Sequence, residues 1–275
     1  MKKIVIIPND TKDKDLAVTK ALVSYLGGKA ELFMEEKFKD SGLAAKYGND
    51  DIYKEADAVI VIGGDGTMLQ VANPCGAYNI PVMGVNMGRI GFMTEVEIDE
   101  LESCCDRLLS GDYRLEKRMM MDIAVEQSGE VKGIFSALND VVISKTDAKM
   151  ISVELYANDN KINAYTADGI IIATPTGSTG YSLSAGGPVA DPCMELFLAS
   201  PICAHMLNSR PAVMPADKDI VLRLSGGSAT VTVDGIETVR ISGGDRVKIT
   251  KSKKSVDIIK MSKCSFYDVL INKLS

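Results

Sequence analysis

Histidine occurs once, at position 205, in a chain of 275 residues. A zinc centre built on several histidines is therefore effectively excluded, and His205 is expected to be a packed or hydrogen-bonded side chain. Six cysteines are present, at 75, 104, 105, 193, 203 and 264, but none stand at Cys-x-x-Cys spacing. Without a secretion signal they read as reduced thiols rather than a disulfide framework, and the cytoplasm is the expected compartment. The opening run Met1 to Pro8 superficially resembles such a signal, yet its apolar stretch is short and meets Asn9-Asp10 at once, so it reads as a first strand. No apolar run approaches the roughly 20 residues that cross a bilayer, so no membrane partner is expected. Positive charge is outnumbered, with 31 Lys and Arg against 37 Asp and Glu. A net charge of −6 and a pI near 5.0 argue against a nucleic-acid surface. No Gly-x-Gly-x-x-Gly follows the first strand, which disfavours a classical redox enzyme using a dinucleotide, and no Walker A motif occurs anywhere. Internal repeats and low-complexity segments are absent too.

What is present divides in two. With 46% hydrophobic and 25% charged residues, the chain can bury two substantial cores, and its length favours two lobes. Up to about residue 118, strand and helix signals alternate: apolar runs at Lys3–Pro8, Ala58–Ile62 and Ile80–Asn86, with helical spacing at Val18, Leu22, Tyr25, Leu26 and again at Ile98, Leu101, Cys105, Leu108. Asp99 and Glu100 sit favourably in the first turn of that last helix. Such alternation predicts a Rossmann-like α/β domain with a parallel sheet, over 1–118. From 119 to 250, short alternating runs separated by turns predict an antiparallel β-rich domain: Asp122–Glu126, Val131–Ile143, Ser152–Ala157, Lys161–Tyr165, Ile220–Leu224, Ala229–Val233 and Val247–Thr250. Lys251-Ser252-Lys253-Lys254 reads as a solvated turn, and the segment 251–275, with Phe266 to Ile271, as a closing element docking back on the first domain. Met119-Met120-Met121 and Cys104-Cys105 read as packing.

The densest chemistry lies in Gly63-Gly64-Asp65-Gly66-Thr67, between a buried strand and a helix start. Glycines allow close approach of the backbone to a ligand and φ values above zero. Helix N-termini supply free N–H groups and partial positive charge, which suit a phosphate. A carboxylate in such a cradle would repel the anion unless it does chemistry or holds a cation, so Asp65 points to phosphoryl transfer; its bland alternative is a helix N-cap. A second cluster runs from Asp168 to Pro188, through Thr174-Pro175-Thr176-Gly177-Ser178-Thr179-Gly180-Tyr181-Ser182-Leu183-Ser184. It carries no charge between Gly169 and Ala190. Its hydroxyls and amides suit ribose and phosphate oxygens, and Tyr181 offers a ring for stacking; alternatively it is a structural loop.

Together the two clusters resemble the NAD kinase family. Gly84–Phe92 with Met93-Thr94-Glu95, Asn139-Asp140, Asn208-Ser209-Arg210-Pro211 and Val233-Asp234-Gly235 follow in that family's order, so the likeness spans about 58–240. It implies transfer of the ATP γ-phosphoryl group to the adenosine-ribose 2′-hydroxyl of NAD, giving NADP, with magnesium or another divalent cation accompanying ATP. It implies Asp65 as base, and Gly63, Gly64, Gly66 and Thr67 as a cradle for donor phosphates. The NAD site would be lined by Gly66, Phe92, Asn139, Asp140, Thr166, Asp168, Thr179, Gly180, Tyr181 and Ser184, in a homodimer or homotetramer. No metal-ligating side chain is assigned. Polyphosphate is an alternative donor. Four positions depart from the family pattern: Asp140 for the commoner Glu, Thr166 for a basic residue, Gly180 for Ala, and Ile236 for Gln. A contact missing at Thr166 could shift to Lys145, Lys149 or Arg210. Phe92 could otherwise be core and Asp168-Gly169 only a turn. The rival functions are a lipid kinase, which shares Gly-Gly-Asp-Gly but should show a basic amphipathic membrane face that the sequence lacks, and a non-catalytic NAD or nucleotide sensor, whose clearest sign would be an altered Asp65, which is intact here.

Overall fold

A computed structural model describes residues 1–88, 91–205, 209–262 and 264–274. Arg89, Ile90 and Asn208, each within a segment singled out above, therefore lie outside the described residues. The chain forms two compact units, Met1–Lys117 with Ser255–Ser275, and Arg118–Lys254.

In the first unit, β1 (Lys2–Pro8), α1 (Ala17–Leu26), β2 (Ala30–Glu35), β3 (Lys46–Gly48), β4 (Ala58–Gly63), α2 (Asp65–Tyr78), β5 (Val82–Asn86) and α3 (Leu101–Ser110) follow one another. The strands pair in parallel in the order β3-β2-β1-β4-β5. β4 is buried along its whole length, as a central parallel strand with both faces covered must be. Ile4, Ile6, Ile60, Ile62, Met83 and Val85 form the core with Leu22, Leu26, Cys104, Cys105 and Leu108 from the helices. Helix α1 starts where the buried Asp13 carboxylate accepts N–H bonds from Val18 and Thr19, at 3.0 and 2.9 Å.

The second unit follows in antiparallel style. Its strands are β6 (Arg114–Gln127, which begins just before the unit), β7 (Glu130–Ala137), β8 (Asp140–Lys145), β9 (Ile151–Ala157), β10 (Asn160–Ala167) and β11 (Gly169–Ala173). After the four-residue α4 (Tyr181–Ser184) come β12 (Leu196–Ile202), β13 (Ala212–Pro215), β14 (Ile220–Gly226), β15 (Ser228–Val233), β16 (Glu237–Ser242) and β17 (Arg246–Lys260). One sheet runs β13-β12-β11-β8-β15-β16, antiparallel throughout. Elsewhere in the unit β10-β9-β14-β17 and β6-β7 pair, also antiparallel. Met119, Met121, Ile143, Val153, Ile170, Ile172, Phe197, Leu222, Val231 and Ile249 belong to its core.

Three local expectations are corrected. Lys251–Lys254 is no turn but the middle of β17: Ser252 is buried while Lys251, Lys253 and Lys254 stay exposed, so the lysines are solvent-exposed residues of a strand. That strand passes from the second unit into the first, where Ile258 pairs with Val82 in parallel. The run Val131–Ile143 is two strands, broken at Leu138-Asn139. His205 is exposed; its backbone N–H donates to the Thr166 carbonyl at 2.8 Å. The C-terminal segment 264–274 carries α5 (Phe266–Leu274), and the Phe266 ring lies 5.7 Å from that of Phe92 within the first unit.

Candidate active site

Strand β4 ends at Gly63, Gly64 caps α2, and Asp65 is the first helical residue. The glycines are not there for left-handed backbone, since none of Gly63, Gly64 and Gly66 has a positive φ. Close approach is the reason at Gly63: a Cβ there would stand 2.4 Å from Thr67 Oγ1. Thr67 is buried, and its hydroxyl oxygen accepts a 2.9 Å bond from Asn9 Nδ2 at the end of β1.

Asp65 does not cap its own helix, which overturns the bland alternative. Its carboxylate reaches a turn 27 and 28 residues onward, accepting the N–H of Phe92 at 2.9 Å on one oxygen and of Met93 at 3.0 Å on the other. Gly91 makes that approach possible, because a Cβ at 91 would lie 2.1 Å from Asp65 Oδ1. The Phe92 side chain is half-buried rather than core, with the Lys273 ammonium 4.5 Å from its ring centroid.

In the second unit the break at Leu138-Asn139 has a cause. The Asp234 carboxylate accepts the N–H groups of Leu138, Asn139 and Asp140 at 2.8, 2.9 and 2.9 Å, and the Asp234 N–H donates to the Asp140 carbonyl at 3.0 Å. Amides bound to a carboxylate cannot serve a strand ladder. The hydroxyl-rich segment closes on the same place: the Thr174 N–H donates to the Asn139 carbonyl at 2.8 Å and Thr174 Oγ1 to the Leu138 carbonyl at 2.5 Å. A Cβ at Gly180 would stand 3.8 Å from both Asn139 Nδ2 and Asp140 Oδ2. Asn139 Oδ1 is buried without a hydrogen-bond partner. Burial, and then the Asp234 charge, raise the Asp140 carboxyl to a pKa of about 7; burial also raises Asp234, against the pull of its three amide donors.

Asn139, Asp140 and Gly180 are thus brought together, with Asp234 beneath them. Asp168 lies elsewhere in the unit, ion-paired to Lys145 at 2.6 Å. Thr166 is exposed on β10. The hydroxyls divide by burial. Thr174, Ser178 and Ser182 are buried, with Ser182 Oγ 2.9 Å from Ser200 Oγ, whereas Tyr181 and Ser184 are exposed and Thr179 is half-buried, its hydroxyl donating to the Thr176 carbonyl. Two positions escaped the sequence as site candidates: Asn9, whose signal is the polar break after an apolar strand, and Asp234, whose signal is Asp-Gly, here with the Asp at φ +47°.

A glycine turn that opens a helix beside one carboxylate suits the handling of a phosphoryl group, and the protein is of the phosphotransferase class. Comparison with known proteins narrows this. Residues 4–113 match the ATP-NAD kinase N-terminal domain and residues 138–261 the ATP-NAD kinase C-terminal domain. The chain is 39% identical to an NAD kinase of Caldanaerobacter subterraneus subsp. tengcongensis over 285 residues, covering 100% of this chain and 99% of that protein. It is 40% identical to one from Thermoanaerobacter over 281 residues, with coverage of 100% and 99%. Yeast NADH kinase, solved in complex with NADH, shares the fold at a TM-score of 0.91 and 20% identity, over 100% of this chain and 87% of that one. An Archaeoglobus fulgidus NAD kinase, solved with ATP, gives a TM-score of 0.76 at 24% identity, over 99% and 98%. The chain belongs to the ATP-NAD kinase family, and its activity is phosphorylation of NAD to NADP. The lipid-kinase and sensor alternatives fall with that membership.

Proposed function

We propose that Asp65 is the general base of this reaction. The NAD 2′-hydroxyl oxygen forms a bond to the γ-phosphorus of ATP, the β–γ bridging P–O bond breaks, the hydroxyl proton passes to Asp65, and ADP leaves. The observation that carries this is the fixing of both Asp65 oxygens by the amides of Phe92 and Met93 at the start of α2. A carboxylate held at both oxygens is preorganised to receive a proton without searching for it. Gly63, Gly64, Gly66 and Thr67 hold donor phosphates in this proposal. Magnesium enters with them: Mg²⁺ keeps several waters and needs only one or two carboxylates beside substrate phosphates. No three His, Cys, Asp or Glu side chains gather to hold a resident ion among the described residues.

For the acceptor, the unpartnered Asn139 Oδ1 supports a ligand-facing role for Asn139; Asp140 and Gly180 follow from their closeness to it, and Thr179 as the residue before Gly180. Tyr181 and Ser184 are exposed and free to meet NAD, and Phe92 offers its ring to the adenine. Lys145, paired with Asp168, takes the place of the basic side chain that Thr166 lacks. A homodimer or homotetramer is supported by exposed apolar side chains on the second unit, Ile134 at 75% and Val213 at 57%, and not by Met119–Met121, which are buried. The six free cysteines support a reducing, cytoplasmic compartment. Among the described residues no helix is long and apolar enough to cross a membrane.

The test is Asp65→Asn. NADP formation from NAD and Mg-ATP, read by an NADP-specific dehydrogenase, should fall about 10²–10⁴-fold while NAD binding by calorimetry stays close to wild type. Equal turnover in the two proteins would remove Asp65 from the chemistry. Replacing ATP by polyphosphate in the same assay decides the donor.

A further inference from the structure

The segment between β1 and α1 contains a cation that the phosphoryl-transfer scheme has not used. Asn9 continues beside β4, its N–H donating to the Ile62 carbonyl at 2.8 Å, and its Nδ2 donates to Thr67. The opposite end of the same side chain, Oδ1, accepts Thr11 N–H, Thr11 Oγ1 and Lys12 N–H at 3.2, 2.7 and 3.1 Å. One residue later the buried Asp13 is bound to the start of α1. Lys12 is therefore rooted between two anchored residues, one of which is tied to the glycine turn itself.

Its side chain runs over that turn. Lys12 Nζ stands 2.8 Å from where a Cβ on Gly64 would be, directly beside the first residues of α2. Lys12 is exposed, and no carboxylate lies within ion-pair distance of it among the described residues. Of the nearby acids, Asp13 is engaged by α1 and Asp65 by Phe92 and Met93. A cation at the positive end of a helix is disfavoured by the helix dipole unless an anion joins it. We propose that Lys12 binds the phosphoryl donor, its ammonium engaging an oxygen of the donor's polyphosphate chain. The inference rests on the glycine turn holding donor phosphates. An ammonium is a compact point charge with three donors and no planar fork, so it reads phosphate and not the base: inorganic tripolyphosphate and ATP should depend on it alike.

Calorimetric binding of Mg-ATP and of inorganic tripolyphosphate to the full chain tests this with Lys12→Met, Lys12→Arg and Gly66→Ala. The last variant checks the turn by itself, since a Cβ at 66 would point into open space beside its own helix, where the proposed phosphate would lie. Loss of one charge-assisted hydrogen bond predicts about 10–100-fold weaker binding of both ligands to Lys12→Met. Lys12→Arg should recover most of it, and KM for NAD should stay within about twofold, because only the donor site changes. If Gly66→Ala weakens binding and Lys12→Met does not, Lys12 is excluded and the turn stands. If neither weakens it, the phosphate reading of the turn falls and the Lys12 proposal with it. Loss for ATP without loss for tripolyphosphate would also overturn the proposal, since Lys12 would then be sensing the nucleoside.

Discussion

Asp65 in the first unit and Asp234 in the second do the same thing to the backbone in different surroundings. Each carboxylate gathers amide N–H groups from a segment remote in sequence: Asp65 takes two, 27 and 28 residues onward, and Asp234 takes three, 94 to 96 residues back. Around Asp65 the nearby groups are a glycine turn, a helix N-terminus and the Lys12 ammonium. Around Asp234 there is a second carboxyl, Asp140, and burial, and both acids are pushed up in pKa. One residue type thus clasps a remote turn beside a helix start in one setting and supports a break between strands in the other. At Asp234 burial outweighs the three amide donors, which by themselves favour the charged form.

The largest effect that would break this comparison is expected at Gly91. Gly91→Ala puts a methyl group onto Asp65 Oδ1 and should cut turnover by about 10²-fold or more, measured in the coupled assay. Turnover within threefold of wild type would show that the clasp is not needed for the chemistry. Next comes Asp234→Asn, in which an amide NH₂ replaces one acceptor oxygen and faces a backbone N–H. Urea unfolding should register a loss of about 3 kcal/mol; no change would mean that the clasp does not hold the Leu138–Asp140 segment.

A smaller effect concerns the Asp140 charge. Its folded pKa, about 7, lies above the model-peptide value of 3.8. The folded state therefore binds its proton more tightly between those two values, so the stability due to this group is complete below about pH 4 and is lost as pH rises towards 7. Asp140→Asn removes that penalty. It should melt like wild type near pH 4 and gain on the order of 2 kcal/mol by pH 8, and a constant difference across the range would refute the assignment. The smallest effect is expected at the half-exposed Lys145–Asp168 pair, where Lys145→Met should change stability by no more than about 1 kcal/mol. A rise in KM for NAD in the same variant would sharpen the role given to Lys145.

Legibility differed between local and distant features. The strand, glycine turn and helix at 58–78 were readable because apolar run, turn residues and helical spacing are all encoded within a few residues. The same holds for the hairpin at Asn158–Asn160, where Asn158 takes φ +51°. Periodicity failed at Lys251–Lys254, since three lysines resemble a turn unless the buried Ser252 between them is known. It also ran through Leu138-Asn139, where the apolar pattern is continuous but the amides belong to Asp234. The hydroxyls of 174–184 look alike in sequence, yet Ser178 and Ser182 pack inward while Ser184 faces solvent.

By itself the sequence determined the two-part architecture, the strand–glycine turn–helix at 58–78 and the NAD kinase resemblance, because these reside in short motifs whose order along the chain is enough to recognise them. Only the tertiary structure decided that Asp65 clasps Phe92 and Met93, that Asp234 supports Asn139 and Asp140, and that Lys12 lies over Gly64. Hydrogen bonds and Coulomb interactions act over a few ångströms of space whatever the separation in sequence, and only the folded sheets bring residues 27, 52 or 95 positions apart within that range.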